Sequence, residues 1–379
     1  MDYPIYLDYN ATTPVDERVL AAMLPYFTTH FGNAASRTHV FGLKAEAAVA
    51  TARQQVADLL VASPREIVFT SGATEAINLA LKGVFEANSH RATHLITVET
   101  EHKATLDACR YLARRGAELT YLTPDADGLV TVAQLEAALR PDTLLASVML
   151  ANNETGVLLP VDEMARLCRA RGVLFHTDAT QAVGKMPINL ATLPVDLLSF
   201  SGHKCYAPKG IGGLFVRYKT PLLAQQDGGQ HERGRRSGTL NVPGIVALGH
   251  AAQLAGQSLA DEAHRQKTLR DQLETGILAQ VPGVTVNGGR AHRLPNTTNL
   301  AFAGLDGEAL LMSLNGLAVS NGSACTAAST DPSHVLTAMG LLPDLAYASV
   351  RFSLGRHTTE ANIAQTIREV VAVVARLRA

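Results

Sequence analysis

The chain has 379 residues, of which 47% are hydrophobic and 18% are charged, so it can build a large buried interior and is not a disordered protein. Its formal net charge of -1 offers no electrostatic surface for a nucleic-acid backbone or an anionic membrane, and its aromatic content of 5% disfavours a stacking platform for single strands. The first residues lack the pattern of a signal peptide, and no apolar run approaches the ~18 residues that span a bilayer.

Short apolar runs alternate with amphipathic stretches through the first two thirds of the chain. This alternation predicts an α/β protein with a mostly parallel sheet covered by helices, and such sheets bind ligands beyond the carboxyl ends of their strands. The predicted strands are 66–70, 94–98, 144–150, 173–176, 196–200 and 213–217, and the predicted helices after the first two are 74–85 and 103–115.

A segment rich in glycine and arginine, 227–239, separates this pattern from a long helical pattern that runs from Val242 to about Gln280. The last helix is predicted from a single apolar stripe, with Thr359 as its N-cap. We expect a large domain over residues 15–255 and a small domain formed by residues 1–14 and 256–379. The apolar stripe that predicts the last helix consists of Ile363, Ile367, Val370, Val374 and Leu377.

Lys204 ends the segment Ser201-Gly202-His203-Lys204, directly after a predicted strand. At that position it would face the ligand crevice, where burial lowers the pKa of a lysine and frees its amine to bind an aldehyde. A lone lysine after a strand is more often a solvated loop residue, and Lys185 and Lys209 are nearby alternatives. Lys209, however, lies in Pro208-Lys209-Gly210, which is typical of a turn. Neighbouring motifs favour Lys204.

Three further motifs follow predicted strands. Asp178 could pair with a protonated pyridine nitrogen, although a strand-end aspartate is as often a helix cap. The turn from Thr70 to Glu75 could hold a phosphate at a helix N-terminus, but it lacks the lysine of a P-loop and the full GxGxxG spacing. His102 could stack on a flat ring and exchange protons, or act only as a polar cap. Together with Lys204 these residues predict an aldehyde cofactor with a phosphate and a ring nitrogen.

The four cysteines are Cys109, Cys168, Cys205 and Cys325, and their spacing suits neither a zinc site nor a disulfide framework. We therefore expect free thiols in a cytoplasmic, reducing compartment. Cys325 lies among small polar residues with no apolar period, which predicts a loop over about 320–332 that carries a nucleophilic thiolate. Cys109 and Cys168 lie in helical patterns and are expected to be buried, whereas Cys205 could touch the site because it follows Lys204.

Short motifs at fixed order run through nearly the whole chain. They are YLDYNATTP (6–14), FGNAAS (31–36), TSGATE (70–75), TEHK (100–103), NNETG (152–156), DATQ (178–181), SGHK (201–204), RSGT (236–239), GSAC (322–325) and RFS (351–353). On these motifs the chain resembles the cysteine desulfurases of the class V aminotransferase family, in the group that serves iron–sulfur cluster assembly.

The resemblance implies a type I fold for enzymes that depend on pyridoxal 5'-phosphate (PLP), with a mostly parallel seven-stranded sheet in the large domain, a smaller α+β C-terminal domain and a homodimer. It also implies a role for each matching residue. Lys204 binds the cofactor covalently, His102 stacks on its ring, Asp178 pairs with the ring nitrogen, Gln181 bonds the ring hydroxyl and Asn153 lies beside the ring. The phosphate is held by Ala73, Thr74, Ser201 and His203 of the same chain, and by Thr239, which reaches in from the partner subunit. Arg351 binds the substrate carboxylate together with Asn33 and Asn153.

The expected reaction converts L-cysteine to L-alanine and leaves a persulfide on Cys325, with Lys204 and His102 as proton carriers. A selenocysteine lyase or a class V aminotransferase on the same scaffold is an alternative, as is a binding protein without catalysis, but Lys204 and Cys325 together favour desulfuration. We expect no metal bound by the protein alone, although Cys325 could transiently ligate a nascent cluster.

The expected partner is a sulfur-acceptor protein, either a cluster scaffold or a relay to transfer-RNA thiolation. Relatives that dock the scaffold often carry an extension beyond the last helix, whereas this sequence stops at Ala379, so both acceptors remain in view. No direct contact with nucleic acid or with a membrane is expected.

Overall fold

The structure is a computed structural model that describes residues 3–88, 93–321 and 332–379, so Cys325 and most of its predicted loop (residues 322–331) lie outside the described residues. The described strands are β1 (Ile5–Tyr6), β2 (Ile67–Thr70), β3 (His94–Val98), β4 (Glu118–Leu122), β5 (Thr143–Ser147), β6 (Leu174–Asp178), β7 (Leu197–Ser201), β8 (Gly212–Val216), β9 (Val284–Val286), β10 (Thr297–Phe302), β11 (Leu317–Ala318) and β12 (Ser349–Ser353).

The described helices surround these strands. They are α1 (Glu17–Met23), α2 (Pro25–Thr28), α3 (Val40–Leu60), α4 (Ala73–Asn88), α5 (Lys103–Ala113), α6 (Val132–Ala138), α7 (Val161–Ala170), α8 (Val242–Gln280), α9 (Gly307–Ser313), α10 (His334–Ala338), α11 (Pro343–Tyr347) and α12 (Glu360–Arg378).

The largest sheet has seven strands in the order β2-β8-β7-β6-β5-β3-β4. Strand β8 runs antiparallel to both of its neighbours, and every other neighbouring pair is parallel. Six strands therefore end at the same edge of the sheet, which is where an open α/β sheet binds its ligands. The predicted α/β fold with a mostly parallel seven-stranded sheet is confirmed.

The connection between β7 and β8 explains why β8 is reversed. It covers only residues 202–211, which is too short for the crossover that a parallel connection requires. Lys209 and Gly210, just before the first residue of β8, are consequently returned to the edge where β7 ends. Close backbone packing there depends on glycine, since a Cβ at Gly212 would lie 2.7 Å from the Cα of Gly72.

The predicted elements agree with the structure apart from their ends. The helices predicted over 74–85 and 103–115 are Ala73–Asn88 and Lys103–Ala113, and the strand predicted to reach Leu150 ends at Ser147. The prediction that Thr359 caps the last helix is confirmed, since its hydroxyl accepts a hydrogen bond from the backbone N–H of Asn362.

Helix α8 is one continuous helix of 39 residues that contributes to two separate buried clusters. Its first turns pack on α3 so closely that a Cβ at Gly249 would lie 2.5 Å from the Cα of Ala52. Leu269, Leu273 and Ile277 belong instead to a second cluster built on β10, β12 and α12, which also includes Leu7. The predicted boundary at residue 255 lies inside this helix and stays a prediction.

Strand β2 forms one edge of the large sheet, and a buried ion pair covers it. The Glu232 carboxylate accepts hydrogen bonds from Arg53 Nη2 (2.6 Å) and from the backbone N–H of Phe69 (2.8 Å), while Arg53 Nη1 donates to the Ile67 carbonyl (2.7 Å). The backbone groups of this edge strand are thereby satisfied without a further strand. Glu232 and Arg233 both have left-handed backbone angles, φ 48° and φ 59°, so this contact is made at the cost of local strain.

The buried pair predicts a large loss of stability on truncation. Glu232→Ala leaves the buried Arg53 charge without its counterion and the Phe69 N–H without its acceptor, so the free energy of unfolding should fall by about 3–5 kcal/mol in urea denaturation. The matched control is Asp107→Ala, which breaks a pair whose side chains are 59% and 64% exposed and should cost less than ~1 kcal/mol. Equal effects of the two variants would contradict this interpretation.

Candidate active site

A cavity of about 360 Å³ lies at the edge where the parallel strands end. This size lies in the range of small-molecule sites, which are about 300–1,000 Å³. Ten of the predicted site residues line it. They are Ala73, Thr74, His102, Asn153, Asp178, Gln181, Ser201, His203, Lys204 and Arg351.

One end of the cavity is built to hold a phosphate. Helix α4 begins there at Ala73, and the first N–H groups of a helix have no acceptor within it, so they offer an anion site with a favourable dipole. Ser201 and His203 face the same cavity from the end of β7. Burial and the nearby Lys204 lower the pKa of His203 to about 4, so its ring is neutral at physiological pH. Lys209 adds a positive charge to this wall.

Asp178 occupies the end of β6 and is fixed by donors on one oxygen. Its Oδ1 accepts hydrogen bonds from the Thr180 N–H (2.9 Å) and hydroxyl (2.5 Å), and from the Ser199 hydroxyl (3.5 Å). All three bonds are made to Oδ1, which leaves Oδ2 for a ring nitrogen. Asp178 is only 5% exposed, so a charge pair formed with it would be shielded from water.

Lys204 lies one turn beyond the end of β7, in a short 3₁₀ helix. Its Nζ donates to the carbonyl oxygens of Asn10 (2.5 Å) and Ala11 (2.7 Å). These carbonyls belong to the YLDYNATTP segment, so the N-terminal segment forms the floor on which the amine rests. These two neutral carbonyls hold the amine in place at the edge of the sheet.

Lys185 is a second lysine at this site. Its Nζ donates to Gln181 Oε1 (2.8 Å) and to Asn10 Oδ1 (3.0 Å). Burial, followed by repulsion from Lys204, lowers the pKa of Lys185 to about 7. Gln181 Oε1 accepts from Lys185, and Gln181 Nε2 donates one hydrogen to the Asn10 carbonyl (2.9 Å), so the second N–H of the amide is the group that Gln181 can offer to a ligand. Lys185 was expected only as an alternative to Lys204, and its contacts with Gln181 and Asn10 were not predicted.

His102 both caps a helix and lines the cavity. Its Nδ1 accepts a hydrogen bond from the Ala104 N–H at the start of α5 (3.1 Å). The two interpretations of His102, as a helix cap and as a proton carrier, are therefore compatible. The cap fixes the orientation of the ring, and Nε2 is the nitrogen that can carry a proton. His334, at the start of α10, contacts the residue before His102, since its Nε2 lies 3.0 Å from the carbonyl oxygen of Glu101.

Arg351 is 2% exposed and is held in a fixed orientation. Its Nη1 donates to the Asn153 carbonyl (2.9 Å) and its Nη2 to Asp8 Oδ1 (2.5 Å). Asp8 was not predicted as a site residue. The Asp8 carboxylate fixes the planar guanidinium group of the buried Arg351 before a substrate arrives. The signal that could have indicated Asp8 is its position in the YLDYNATTP motif.

Two predicted residues are not brought to this cavity, since Asn33 and Thr239 are exposed and lie outside its lining. The prediction for Cys325 falls outside the described residues. Cys205 also does not line the cavity; its Sγ donates to the Gly202 carbonyl at 3.3 Å, and burial raises the pKa of its thiol to about 11. Lys209 lines the cavity although its sequence is typical of a turn, because β8 runs antiparallel.

These residues fit the phosphate, ring nitrogen and aldehyde of PLP. The helix N-terminus and Lys209 suit the phosphate, the Oδ2 atom of Asp178 suits the ring nitrogen, and Lys204 suits the aldehyde.

A search of the described helices for membrane-spanning segments finds none with the necessary length and apolar character.

Comparisons with known proteins place this site in a family. The family model for class-V aminotransferases matches residues 5–365. A cysteine desulfurase IscS from Anaeromyxobacter sp. (strain Fw109-5) is 55% identical over 380 residues, covering 100% of this chain and 94% of that protein. A solved NifS-like protein superimposes with a TM-score of 0.92 at 37% identity, covering 99% of this chain and 100% of that one. A structure described as "SspA in complex with cysteine" has a TM-score of 0.83 at 38% identity, covering 94% of this chain and 100% of that one.

The fold and the site define a PLP-dependent enzyme of the α/β class. Within that class, the chain belongs to the class-V aminotransferase family, among its cysteine desulfurases. The predicted family and the predicted cofactor are confirmed.

Proposed function

We propose that this protein is a cysteine desulfurase that converts L-cysteine to L-alanine and forms a persulfide on Cys325. The observation that carries the proposal is the convergence of Lys204, Asp178 and Arg351 on one cavity, in a chain 55% identical to a cysteine desulfurase over its whole length. The prediction of a PLP-dependent enzyme is confirmed by these relatives. Arg351 binds the substrate carboxylate, since its fork is already oriented by Asp8 and Asn153.

PLP bound at this site supplies an electron sink for the α-carbon of the substrate. The protein contributes proton transfer and orientation. Lys204 Nζ would be the base that removes the α-proton of the bound substrate, and the Asn10 and Ala11 carbonyls keep this amine at the site. His102 Nε2 is the second proton carrier, because Nδ1 is occupied by the helix cap. The Asp178 carboxylate would hold the ring nitrogen of PLP and thereby support its action as an electron sink.

The sulfur acceptor within the protein is assigned to Cys325 partly by elimination. Burial raises the pKa of both Cys109 and Cys168 to about 12 and that of Cys205 to about 11, so none of the three described thiols is ionised at neutral pH. In the proposed step the Cys325 thiolate attacks the sulfur of the bound cysteine, and the carbon–sulfur bond breaks. Protonation of the remaining carbon skeleton then yields alanine.

Replacing Cys325 should separate cofactor binding from sulfur transfer. We expect Cys325→Ser to keep the visible absorption of the bound cofactor and to abolish sulfide release from cysteine in the presence of a thiol reductant, because the hydroxyl cannot accept sulfur. Intact-mass measurement after exposure to cysteine should show one added sulfur atom on the native protein and none on the variant. The matched control is Cys205→Ser, which should retain both signals. Turnover by Cys325→Ser would refute the assignment.

We also propose that the protein is a homodimer. Asn33 and Thr239 were expected to act at a PLP site, with Thr239 reaching that of the partner subunit, but in one chain both are exposed and lie outside the cavity. Several large apolar side chains on either side of Asn33 in sequence are exposed, and exposed apolar side chains favour burial against a second copy where they lie together. The members of this apolar group and their exposed fractions are Leu24 (52%), Phe27 (57%), Phe31 (63%), Val40 (58%), Phe41 (46%) and Leu43 (49%).

The proposed dimer predicts the effect of a charge in this apolar group. The rings of Phe31 and Phe41 are 5.3 Å apart, so the double substitution Phe31→Glu, Phe41→Glu places two charges in the middle of the group. Sedimentation velocity should show a dimer for the native protein and a monomer for the variant. Tyr218→Glu is the control, since Tyr218 is 76% exposed and lies elsewhere on the surface. A native monomer, or a dimer that tolerates both charges, would contradict the proposal.

For the persulfide we propose transfer to an acceptor protein, either a cluster scaffold or a relay to transfer-RNA thiolation. We further propose a cytoplasmic location. It is supported by the described cysteines, which are free thiols as in proteins of reducing compartments.

A further inference from the structure

Behind Asp178 a line of hydrogen-bonding side chains runs through the interior of the large sheet. Ser147 Oγ lies 2.8 Å from His176 Nδ1, His176 Nε2 lies 3.2 Å from Ser199 Oγ, and Ser199 Oγ lies 3.5 Å from Asp178 Oδ1. All four residues are nearly excluded from solvent, with exposed fractions of 5% or less. None of the roles described above uses Ser147 or His176, and Ser199 has appeared only as a donor to Asp178.

The register of three neighbouring strands creates this line. Ser147 of β5 is paired with His176 of β6, and Asp178 of β6 is paired with Ser199 of β7. His176 and Asp178 are two residues apart in one strand, so they point to the same face of the sheet. The line therefore depends on rigid strand pairing rather than on a loop.

The chemistry of the groups gives the line one direction. An ionised aspartate only accepts hydrogen bonds, so the Ser199 hydroxyl donates to Asp178 and accepts from His176 Nε2–H. His176 Nδ1 then accepts from the Ser147 hydroxyl. A neutral imidazole with its proton on Nε2 satisfies every member, and burial lowers the pKa of His176 to about 3, so the ring stays neutral throughout the physiological range.

We propose that His176 is a positioning residue for Asp178, acting through the hydroxyl of Ser199. The inference rests on the proposed function, in which Asp178 Oδ2 meets the ring nitrogen of PLP. Thr180 donates to Oδ1 from within the same chain segment, and Ser199 donates to it from the neighbouring strand. The carboxylate plane is thus held from two directions. Oδ2 is already oriented for the ring nitrogen, so cofactor binding does not have to order this side chain.

The fold supplies a matched control for His176. His94 in β3 is also fully buried and also lies between two hydroxyl groups, Thr143 Oγ1 and Thr120 Oγ1, each at 2.8 Å. It is the first residue of its strand, whereas the cavity lies where the parallel strands end, and it does not line the cavity. Substitution of the buried His94, or of the half-buried Thr120 on the edge strand β4, therefore removes the same kind of histidine–hydroxyl contact without reaching Asp178.

The experiment compares Ser199→Ala and His176→Phe with the controls Thr120→Val and His94→Phe. For each variant, the apoprotein is titrated with PLP to obtain the dissociation constant, and the visible band of the holoprotein is titrated with pH. We expect Ser199→Ala and His176→Phe to weaken PLP binding roughly tenfold, the size expected when a carboxylate loses one buried hydrogen bond, and to shift the pH midpoint of the band. His176→Gln, which retains a donor for Ser199, should recover most of the affinity.

The controls should lower thermal stability but leave both cofactor readouts at their native values. If Ser199→Ala and His176→Phe behave like the controls, the inference is overturned; if His176→Phe does not fold, Ser199→Ala against Thr120→Val decides the outcome. Asp178→Asn tests the underlying site separately. Unchanged PLP binding in Asp178→Asn would overturn the role of Asp178 itself, whereas weakened binding in that variant, with native behaviour of Ser199→Ala, would overturn only the role of His176.

Discussion

The pairing of β6 with β7 is the constraint on which the site depends. Asp178, the last residue of β6, is paired with Ser199 of β7, and three residues after β7 ends the chain reaches Lys204. Because the two strands are parallel, a carboxylate and an amine from distant parts of the sequence meet at one edge of a rigid sheet. The other strands ending there add a helix N-terminus after β2 and a histidine after β3. The N-terminal segment then provides the carbonyl floor under the lysine.

The sequence was sufficient to predict the parts of the site that follow strands. An apolar run that ends in a polar motif predicts both the strand and the position of its last side chains, and Ala73, His102, Asp178 and Lys204 all line the cavity at that edge. The parallel arrangement followed from the alternation of strands and helices. The last helix followed from its apolar stripe and its N-cap Thr359, which are local signals.

Contacts between distant segments were not predictable in the same way. The bond between Arg351 and Asp8 and the bonds from Lys185 to Gln181 and Asn10 join residues whose proximity depends on tertiary packing. The position of Lys209 was not predicted, because an apolar run does not indicate the direction of its strand. The short connection before β8 was the available signal, since it is too short for a parallel crossover. Asn33 and Thr239 are exposed and lie outside the cavity in one chain, so their predicted roles depend on the proposed dimer.

Three lysines lie near the proposed cofactor, and which of them binds it is the most direct test of the site. Lys185 is held by two amide oxygens and Lys209 lies on the phosphate wall, whereas Lys204 rests on two backbone carbonyls at the end of β7. Borohydride reduction of the holoprotein, followed by digestion and mass spectrometry, attaches the cofactor permanently to the lysine that holds it. We predict that the modified peptide contains Lys204 as the only labelled lysine. A label on Lys185 or Lys209 instead would contradict the assignment.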